Sequence, residues 1–439
     1  MKSLSKYSKY KDSGVEWIRE IPEHWEINKL NFLGDFSASG IDKHINKSES
    51  QVKIVNFTDI FSNSKKILTK KINYMIVTTP ETNRVKNLLK KGDLIFLPSS
   101  ETYEDLGKSA LVNEELINTS FSYHVIRFQF KYNICHSYRK YMTNNHTILH
   151  QFQKNGKGTT RKIIGRNIFK KIIVLIPPLQ EQKKIANYLD QKTEQIDKAI
   201  SQKKELIKLL KERKEILIKD AITQGIDKTA SMMESGIKWL GKVPKHWDIK
   251  KGKYLFKEID ERSKDGKEEL LSVSHMTGVT PRSEKNVTMF MSEDYTGSKT
   301  CQKDDLVINI MWAWMGALGV SDREGIVSSS YGIYRQREPN TFNSSYLEYL
   351  LRTNDYIAEY NRRSTGLHVS RLRLYSDRFL DMKMAIPPIE EQNAIINFIK
   401  ENNSKIDKAI NLQEEQIERL KELKETLIDS CVTGKVKVP

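Results

Sequence analysis

One stretch of the chain occurs twice, and this duplication limits the folds that the sequence can adopt. The first copy runs from 176 to 223, and the second, 210 positions later, from 386 to 433. Each copy begins with two prolines, which can occupy the start of a helix but not its interior. The rest is rich in Glu, Lys, Gln, Leu and Ile and contains no Gly or Pro until its far end. Each copy is therefore predicted to form one long helix of about 42 residues, roughly 60 Å in length.

The two predicted helices share a heptad pattern of apolar residues, which is typical of coiled-coil pairing. Polar residues interrupt this pattern at the same steps, since Lys203 corresponds to Gln413 and Lys214 to Lys424. A globular domain of about 135 residues within the segment between the copies would have a radius of gyration near 14 Å, too compact to lead the chain back for parallel pairing. We therefore expect an antiparallel coiled coil with a small domain at each end. The length of the coiled coil would set the distance between the two domains.

A second repeat precedes each of the two globular segments of the chain. It reads SGVEW and IPEHW within residues 13–25, and SGIKW and VPKHW within residues 235–247. We call these two segments the first and second leader. Each contains a histidine between Pro and Trp neighbours, but neither His24 nor His246 has a second metal ligand or a nucleophile at a usable spacing. Structural packing is therefore the favoured interpretation of both histidines.

The segment after each leader shows short strand-like runs followed by a helical stretch. In the first segment the strands are expected at 53–57, 93–97 and 124–130 and the helix at about 137–152. In the second, the strands are expected at 305–310 and 333–335 and the helix at about 344–361. The predicted fold class is therefore α/β, with two small domains separated by two long helices and an internal repeat of pseudo-two-fold symmetry. The predicted divisions are 1–175 (first leader and first small domain), 176–226 (first long helix), 227–385 (linker, second leader and second small domain) and 386–439 (second long helix and C-terminal tail).

Charge and composition indicate the class of partner. The chain of 439 residues has 73 Lys and Arg against 56 Asp and Glu, a net charge of +17 that favours polyanions. Its three cysteines, Cys135, Cys301 and Cys431, have neither metal-ligand nor disulfide spacing. No apolar run is long enough to cross a membrane, and the basic N-terminus is followed by no apolar stretch. A cytoplasmic protein is therefore expected.

A basic loop containing glycine follows the helical stretch of each small domain, reading NGKGTTRK at 155–162 and RRSTGLHVSR at 362–371. Glycine permits close approach of the backbone, and the polar side chains supply donors to phosphates and base edges. The predicted DNA contacts are Lys157, Thr159, Thr160, Arg161 and Lys162 in the first loop, and Arg362, Arg363, His368, Ser370 and Arg371 in the second. Further candidates are Asn83, Arg84, Ser99, Ser100, Tyr103, His275, Trp312 and Trp314. A solvated turn is the alternative interpretation of each residue.

The order of leader, variable domain, IPPLQEQ helix, leader, variable domain and IPPIEEQ helix resembles the specificity subunit of type I restriction-modification systems. The resemblance covers nearly the whole chain, and the duplicated helix start and PxHW leader are its specific elements. One departure is that the first helix ends in TQG and the second in TG, which affects only the exit of the linker.

The resemblance implies that the small domains are target-recognition domains for double-stranded DNA. Two unlike segments on one frame predict a bipartite, asymmetric target. The resemblance further implies that the helices hold two modification (methyltransferase) subunits and that restriction (translocase) subunits join this core. S-adenosylmethionine, ATP and Mg are then expected in the partner subunits, with no cofactor, metal or catalytic residue in this chain.

Two other classes of protein compete with this interpretation. A self-contained DNA methyltransferase should carry a glycine-rich cofactor loop and an Asn/Asp-Pro-Pro-aromatic motif, whereas both Pro-Pro pairs here follow Ile and precede Leu or Ile. No GxxxxGK phosphate loop is present either, so an enzyme is not expected. A coiled-coil adaptor with two protein-binding heads remains an alternative, against which the positive charge and the basic loops favour DNA.

Overall fold

The computed structural model describes residues 5–285, 294–368 and 371–439. The chain has mixed α/β content and divides into two compact units. The first unit comprises 1–203 and 414–439, and the second comprises 204–413. Both predicted long helices are confirmed, as Leu179–Gln224 and Ile389–Val432. No helix among the described residues is long and apolar enough to cross a bilayer.

The first unit contains a five-stranded sheet and a three-stranded sheet. The five strands, in spatial order, are Gly34–Ser37, Ile126–Phe130, Leu94–Phe96, Ser109–Val112 and Ile67–Leu68. Their neighbours run antiparallel except for the last pair, which is parallel. The smaller sheet orders Thr119–Phe121, Ser50–Val55 and Met75–Thr79. Two-stranded pairs join Tyr10–Asp12 to Glu20–Pro22, Glu26–Lys29 to Ile173–Ile176, and Ser99–Ser100 to Lys162–Ile163.

Short helices pack beside these sheets, at Leu30–Leu33, Phe57–Phe61, Glu81–Lys86, Arg139–Thr143, His146–Lys154 and Arg166–Lys171. A 3-10 turn covers His136–Tyr138. The single helix predicted at 137–152 is therefore wrong in one respect, because it is interrupted at Asn145. This side chain accepts a hydrogen bond from the backbone N–H of Ile148 at 3.1 Å and starts a new helix.

The second unit has a four-stranded antiparallel sheet and four two-stranded pairs. The sheet orders Phe256–Ile259, Gly332–Gln336, Leu306–Ile308 and Leu318–Val320. The pairs join Met232–Glu234 to Lys242–Pro244, Asp248–Lys251 to Lys383–Ile386, Leu271–Ser274 to Gly278–Pro281, and Lys299–Cys301 to Gly325–Val327. Helices lie at Gly252–Leu255, Ser344–Leu351, Asn354–Arg363 and Ser376–Leu380, with 3-10 turns at Arg282–Glu284 and Ala313–Met315. The single helix predicted at 344–361 is thus two helices, because Thr353 has an extended backbone.

The long helices fix the leaders through one glutamate in each unit. In the first unit, Nε2 of His24 lies 2.6 Å from Oε1 of Glu181, and Nε1 of Trp25 donates to Oε2 at 3.0 Å. The His-Trp pair at 246–247 binds Glu391 in the second unit, at 2.7 and 3.1 Å. Partial burial raises the pKa of Glu181, but the hydrogen bonds from His24 and Trp25 lower it below its ordinary value. Both histidines therefore have the structural role that the sequence favours.

The glutamine that follows each of these glutamates anchors the start of the helix. Nε2 of Gln182 donates to the carbonyl of the first proline in the preceding pair at 2.8 Å, and its Oε1 accepts from the backbone N–H of Cys135 at 2.8 Å. Gln392 makes the corresponding bonds in the second unit, to the proline carbonyl at 2.9 Å and to Asn343 at 2.8 Å. Both amides are buried, so each EQ motif satisfies backbone groups that would otherwise lack partners.

Ion pairs join the long helices within each unit. In the first, Nζ of Lys424 lies 2.7 Å from both carboxylate oxygens of Asp197. In the second, Nζ of Lys214 lies 2.7 and 2.8 Å from those of Asp407. These lysines are two of the polar residues that interrupt the apolar pattern, and their carboxylate partners occupy the same position of the IDKAI motif in each helix. Lys214 and Lys424 are therefore each paired with an aspartate of the other long helix.

Candidate nucleic-acid interface

The first loop, which we define as residues 157–163, is a tight hairpin. Lys157 and Ile163 exchange two backbone hydrogen bonds of 3.1 and 2.8 Å. Gly158 has φ of +120°, and a Cβ atom there would lie 2.2 Å from the carbonyl oxygen of Arg161. Only glycine fits this position without distortion. The hairpin therefore exposes residues 159–160 at its tip.

The first loop packs on the strand Ser99–Ser100. Nε of Arg161 donates a hydrogen bond to the hydroxyl of Ser99 at 3.1 Å. Nζ of Lys162 lies 5.1 Å from the ring centroid of Tyr103, which is exposed. The fold thus brings together eight of the predicted residues: Ser99, Ser100, Tyr103, Lys157, Thr159, Thr160, Arg161 and Lys162.

Asn83 and Arg84 are held elsewhere in the first unit, on the helix Glu81–Lys86. Arg84 donates to Oε2 of Glu81 at 2.7 Å and to Oδ1 of Asn118 at 2.8 Å. The Asn83 side chain donates to the hydroxyl of Thr79 at 3.2 Å. Among the described residues, none of these hydrogen bonds reaches the first loop.

An aromatic pair that sequence reasoning missed lies under Arg161. The guanidinium carbon of Arg161 is 5.7 Å from the ring centroid of Phe57, and Phe57 stacks on the exposed ring of Phe61 at 5.3 Å. Cations are attracted to aromatic faces. The ring of Phe57 therefore holds the guanidinium group of Arg161 in addition to the hydrogen bond to Ser99. The i,i+4 spacing of the two phenylalanines in a basic domain is the one signal in the sequence that could have indicated the pair.

Tyr123 and His124 were also missed, and they lie near the same guanidinium group. Their rings are 3.9 Å apart, and Tyr123 is exposed. Burial lowers the pKa of His124, and the positive charges of Lys43 and Arg161 lower it further. Tyr123 and His124 are far from Arg161 in the sequence, so no local pattern could have indicated that they lie near it.

The second loop, residues 365–373, is also closed by two backbone hydrogen bonds. Thr365 and Arg373 exchange them at 3.0 Å each. A Cβ atom at Gly366 would lie 2.4 Å from the carbonyl oxygen of Arg371, so close approach requires glycine here as in the first loop. The backbone N–H of Arg371 donates to the carbonyl of His368 at 2.8 Å. The predicted DNA-binding residue Ser370 lies outside the described residues.

The tryptophan pair is connected to the second loop. The backbone N–H of Leu374, directly after the loop, donates to the carbonyl of Ile310 at 3.0 Å. Two residues beyond Ile310, Trp312 begins the pair with Trp314, whose rings are 5.9 Å apart and inclined by 24°. Trp312 is exposed. The backbone of the second unit therefore joins the segment that carries the tryptophan pair to the end of the second loop.

The remaining predicted residues of the second unit lie elsewhere. His275 is in a hairpin turn, and its carbonyl accepts a hydrogen bond from Arg352 at 2.5 Å. Arg362 and Arg363 belong to the last turn of the helix Asn354–Arg363, where both bind the carboxylate of Glu359. The basic run that looks continuous in the sequence is thus divided between a helix end and the second loop.

The chain is similar to proteins of one family. The family model described as "Type I restriction modification DNA specificity domain" matches residues 22–209. A protein of Methanocaldococcus jannaschii assigned as the type I restriction enzyme MjaX specificity subunit is 24% identical over 438 residues, which cover 96% of each chain. The type I restriction enzyme MjaVIII specificity subunit of the same organism is 25% identical over 300 residues, covering 64% of this chain and 66% of the relative.

Solved structures show the same fold. The HsdS subunit from Thermoanaerobacter tengcongensis aligns with a TM-score of 0.54 at 14% identity, covering 95% of this chain and 98% of the other. A chain from a study of complex assembly and conformational transition in the type I R-M system aligns with a TM-score of 0.63 at 14% identity, covering 94% and 98%. With its duplicated leaders and helix starts, this chain is similar over nearly its whole length to specificity subunits of type I restriction-modification systems.

Proposed function

We propose that this chain is the DNA sequence-specificity subunit of a type I restriction-modification complex and reads a bipartite, asymmetric target. The observation that carries the proposal is that each unit has a glycine-dependent basic hairpin and exposed aromatic rings. Basic and polar donors suit phosphates and base edges, and aromatic rings provide flat apolar surfaces. Because the two hairpins differ in sequence, each would read a different half of the target.

Within the first loop, the surroundings of the cations suggest a division of roles. Lys157 and Lys162 are flexible point charges suited to phosphates. Arg161 is held by both Ser99 and Phe57, and a pre-oriented guanidinium fork suits the two acceptors on the major-groove edge of guanine. We therefore assign base reading to Arg161 and positioning on the backbone to the lysines.

The long helices would pair as an antiparallel coiled coil, which the Lys-Asp ion pairs in each unit support. Several of their exposed apolar residues would hold the two modification subunits: Leu206, Leu209, Ile216 and Leu412 in the second unit and Leu423 in the first. Restriction subunits would join this core. The chain itself would be non-catalytic, with S-adenosylmethionine, ATP and Mg bound by the partners.

Exchange of residues 30–175 for the corresponding segment of another specificity subunit tests the bipartite reading. The hybrid is expressed with its modification partner, and the methylated motif is determined by methylome sequencing. We expect only one half of the motif to change. The parental chain expressed in the same host is the control, and a change in both halves would contradict the proposal.

A gel-shift experiment distinguishes this function from a coiled-coil adaptor with two protein-binding heads. The chain is mixed with random-sequence duplex DNA, with and without the modification partner. Salt-sensitive binding is expected in the presence of the partner. Failure to bind duplex under both conditions would favour the adaptor.

A further inference from the structure

A cleft of about 720 Å³ opens in the second unit, between the second leader, the helix Asn354–Arg363 and the strand Lys383–Ile386. We call it the leader cleft. Five basic side chains line it: Lys238, Lys251, Arg362, Arg363 and Lys383. Trp239 also lines the cleft, and its ring packs edge-on against the buried ring of Tyr356, 4.6 Å away. The wall of the cleft is therefore both cationic and rigid.

The acidic groups of the leader cleft are already paired with bases. Asp355 lies 2.9 Å from Nζ of Lys219, and Asp381 lies 2.5 Å from Nζ of Lys251. The third acid, Glu359, binds both arginines. In the part of the chain that the structure describes, no carboxylate lies within ion-pair distance of the other two lining cations, Lys238 and Lys383. The cleft therefore keeps an excess of positive charge.

Glu359 holds the side chains of both arginines of the cleft. Its side chain is 3% exposed and accepts from Nε and one terminal nitrogen of Arg362, at 2.7 and 2.6 Å. The hydrogen bond from Arg362 lowers the pKa of Glu359, which keeps the carboxylate charged. Arg362 is 67% exposed, so its other terminal nitrogen keeps free N–H donors. Arg363 uses Nε on the same carboxylate, at 2.5 Å. Such a pre-oriented fork suits a phosphate oxygen pair.

The first unit has neutral or acidic groups at three of the matching positions. Lys29 and Lys154 stand in place of Lys251 and Arg362, so these two basic positions are common to both units. Gln151 stands six residues after its helix cap, as Glu359 does, and its amide exchanges two 2.9 Å hydrogen bonds with the backbone of Ile173. Ile173 begins the strand that matches the one starting at Lys383. The first leader has Glu16 in the place of Lys238. The cations at Lys238 and Lys383 are thus specific to the second unit, whereas those at Lys251 and Arg362 belong to the common frame.

We propose that the leader cleft is a phosphate-binding site, which takes a backbone phosphate of the DNA strand next to the bases that the second loop reads. Arg363 ends the helix only two residues before the second loop begins at Thr365, so the chain itself places the cleft next to that loop. This inference rests on the proposed function. The recognised chemistry is the phosphate group, which can come from a DNA strand or from a free phosphate.

The test uses the full-length chain with Lys238→Gln and Lys383→Gln combined. A matched control, Lys242→Gln with Lys245→Gln, removes the same charge from exposed lysines of the second leader that do not line the cleft. Affinity for a random-sequence duplex is measured over a series of salt concentrations, with the modification partner present. Separately, inorganic phosphate is titrated while tryptophan fluorescence is recorded.

In the double variant, we expect the slope of log affinity against log salt to fall by about 0.9 for each phosphate that the protein no longer binds, beyond any change in the control. If the salt slope is unchanged but the fluorescence response to inorganic phosphate is lost, the leader cleft binds free phosphate and not a DNA phosphate. If neither measurement separates the double variant from the control, the proposal is overturned. Failure of the proposed function looks different, because the parental chain itself would then show no salt-dependent binding to duplex.

Discussion

Arg161 and Lys162 are neighbours in the sequence but have different surroundings. Arg161 is fixed by a hydroxyl and an aromatic ring, whereas Lys162 lies over Tyr103 and close to the carbonyl of Thr159. A fixed guanidinium can select a base, while a flexible ammonium can follow any phosphate. Arg161 and Lys162 therefore carry the same charge but are suited to different roles in the first loop.

Arg161→Lys separates these roles because it keeps the charge but removes the planar fork. We expect specificity at one base-pair position to relax by about 1 to 3 kcal/mol, with the salt dependence of binding unchanged. Lys157→Gln with Lys162→Gln should instead lower the salt slope by about 0.9 for each phosphate that is no longer neutralised and leave the preferred sequence unchanged. Binding to a duplex library at several salt concentrations measures both effects. Equal effects from both variants would contradict the assignment.

The glycine of the first loop gives a prediction about stability. Gly158→Ala places a Cβ atom against the carbonyl of Arg161 in a backbone region that favours glycine, and we expect the free energy of unfolding to fall by about 1 kcal/mol or more. Gly165→Ala is the matched control, since its φ is −66° and no atom lies within 4 Å of an added Cβ. Thermal unfolding measures the difference between the two variants. Equal melting temperatures would show that the hairpin relaxes around the methyl group.

The interaction of Glu181 with the first leader should make the free energy of unfolding depend on pH. The pKa of Glu181 is lowered from its ordinary value of 4.5, so its stabilising contribution is fully present above that pH. As the pH falls through the lowered pKa of the folded state, the contribution is lost. We therefore expect the parental chain to lose more stability between neutral pH and pH about 3 than Glu181→Gln does. Urea unfolding across this range checks the prediction, and identical pH profiles would contradict it.

At the scale of elements, the sequence predicts what depends on local periodicity and misses what depends on distant residues. Both long helices follow from uninterrupted helix-forming residues, and most predicted strands lie within two or three residues of the observed ones. The sheet order of the first unit does not follow, because the neighbours Gly34–Ser37 and Ile126–Phe130 are distant in sequence. The interruption at Asn145 was missed because one cap outweighs the propensity of a short helix.

The same reasoning explains the partial prediction of the candidate site. Glycine and basic residues in a short loop are a local signal, and they indicated both hairpins. The position of Arg362 on a helix beside a buried glutamate depends on where that helix ends and on what packs against it. The ring centroid of Phe57 comes within 5.7 Å of the Arg161 guanidinium carbon only through the fold, and the effect of the Arg161 charge on the pKa of His124 likewise depends on the fold.

The exposed apolar residues of the first long helix give a prediction at this scale. Leu209 and Ile216 are 51% and 59% exposed, and the repeat places Arg419 and Thr426 at the corresponding positions of the second helix. If these residues dock a modification subunit, the variant Leu209→Arg with Ile216→Thr should weaken that docking about tenfold, or ~1.4 kcal/mol. Analytical ultracentrifugation of the mixed subunits measures the change.

Glu205→Ser with Glu212→Ser controls for general disturbance of the same helix. Retention of the parental affinity in the Leu209 and Ile216 variant would exclude this face of the helix as the docking surface. The salt dependence of DNA binding by the chain should be the same in both variants.

At the scale of the whole molecule, the two units differ in how the chain builds them. The second is one continuous segment, 204–413, whereas the first combines 1–203 with 414–439. Leu427 and Cys431 from the second part pack in the same core as Trp25 and Leu189 from the first part. Asp429 also accepts hydrogen bonds from the backbone and hydroxyl of Thr147, at 3.0 and 2.8 Å. The core of the first unit is therefore incomplete without residues from both parts.

This division has a consequence during synthesis on the ribosome. A nascent chain arrested with residue 413 outside the exit tunnel contains all of the second unit but lacks residues that complete the core of the first. Limited proteolysis of such arrested chains should find residues 204–413 resistant and the earlier residues still sensitive, since domains become resistant when their cores close. The part of the protein that leaves the ribosome first would then be the last to mature, and it would depend on chaperones for longest.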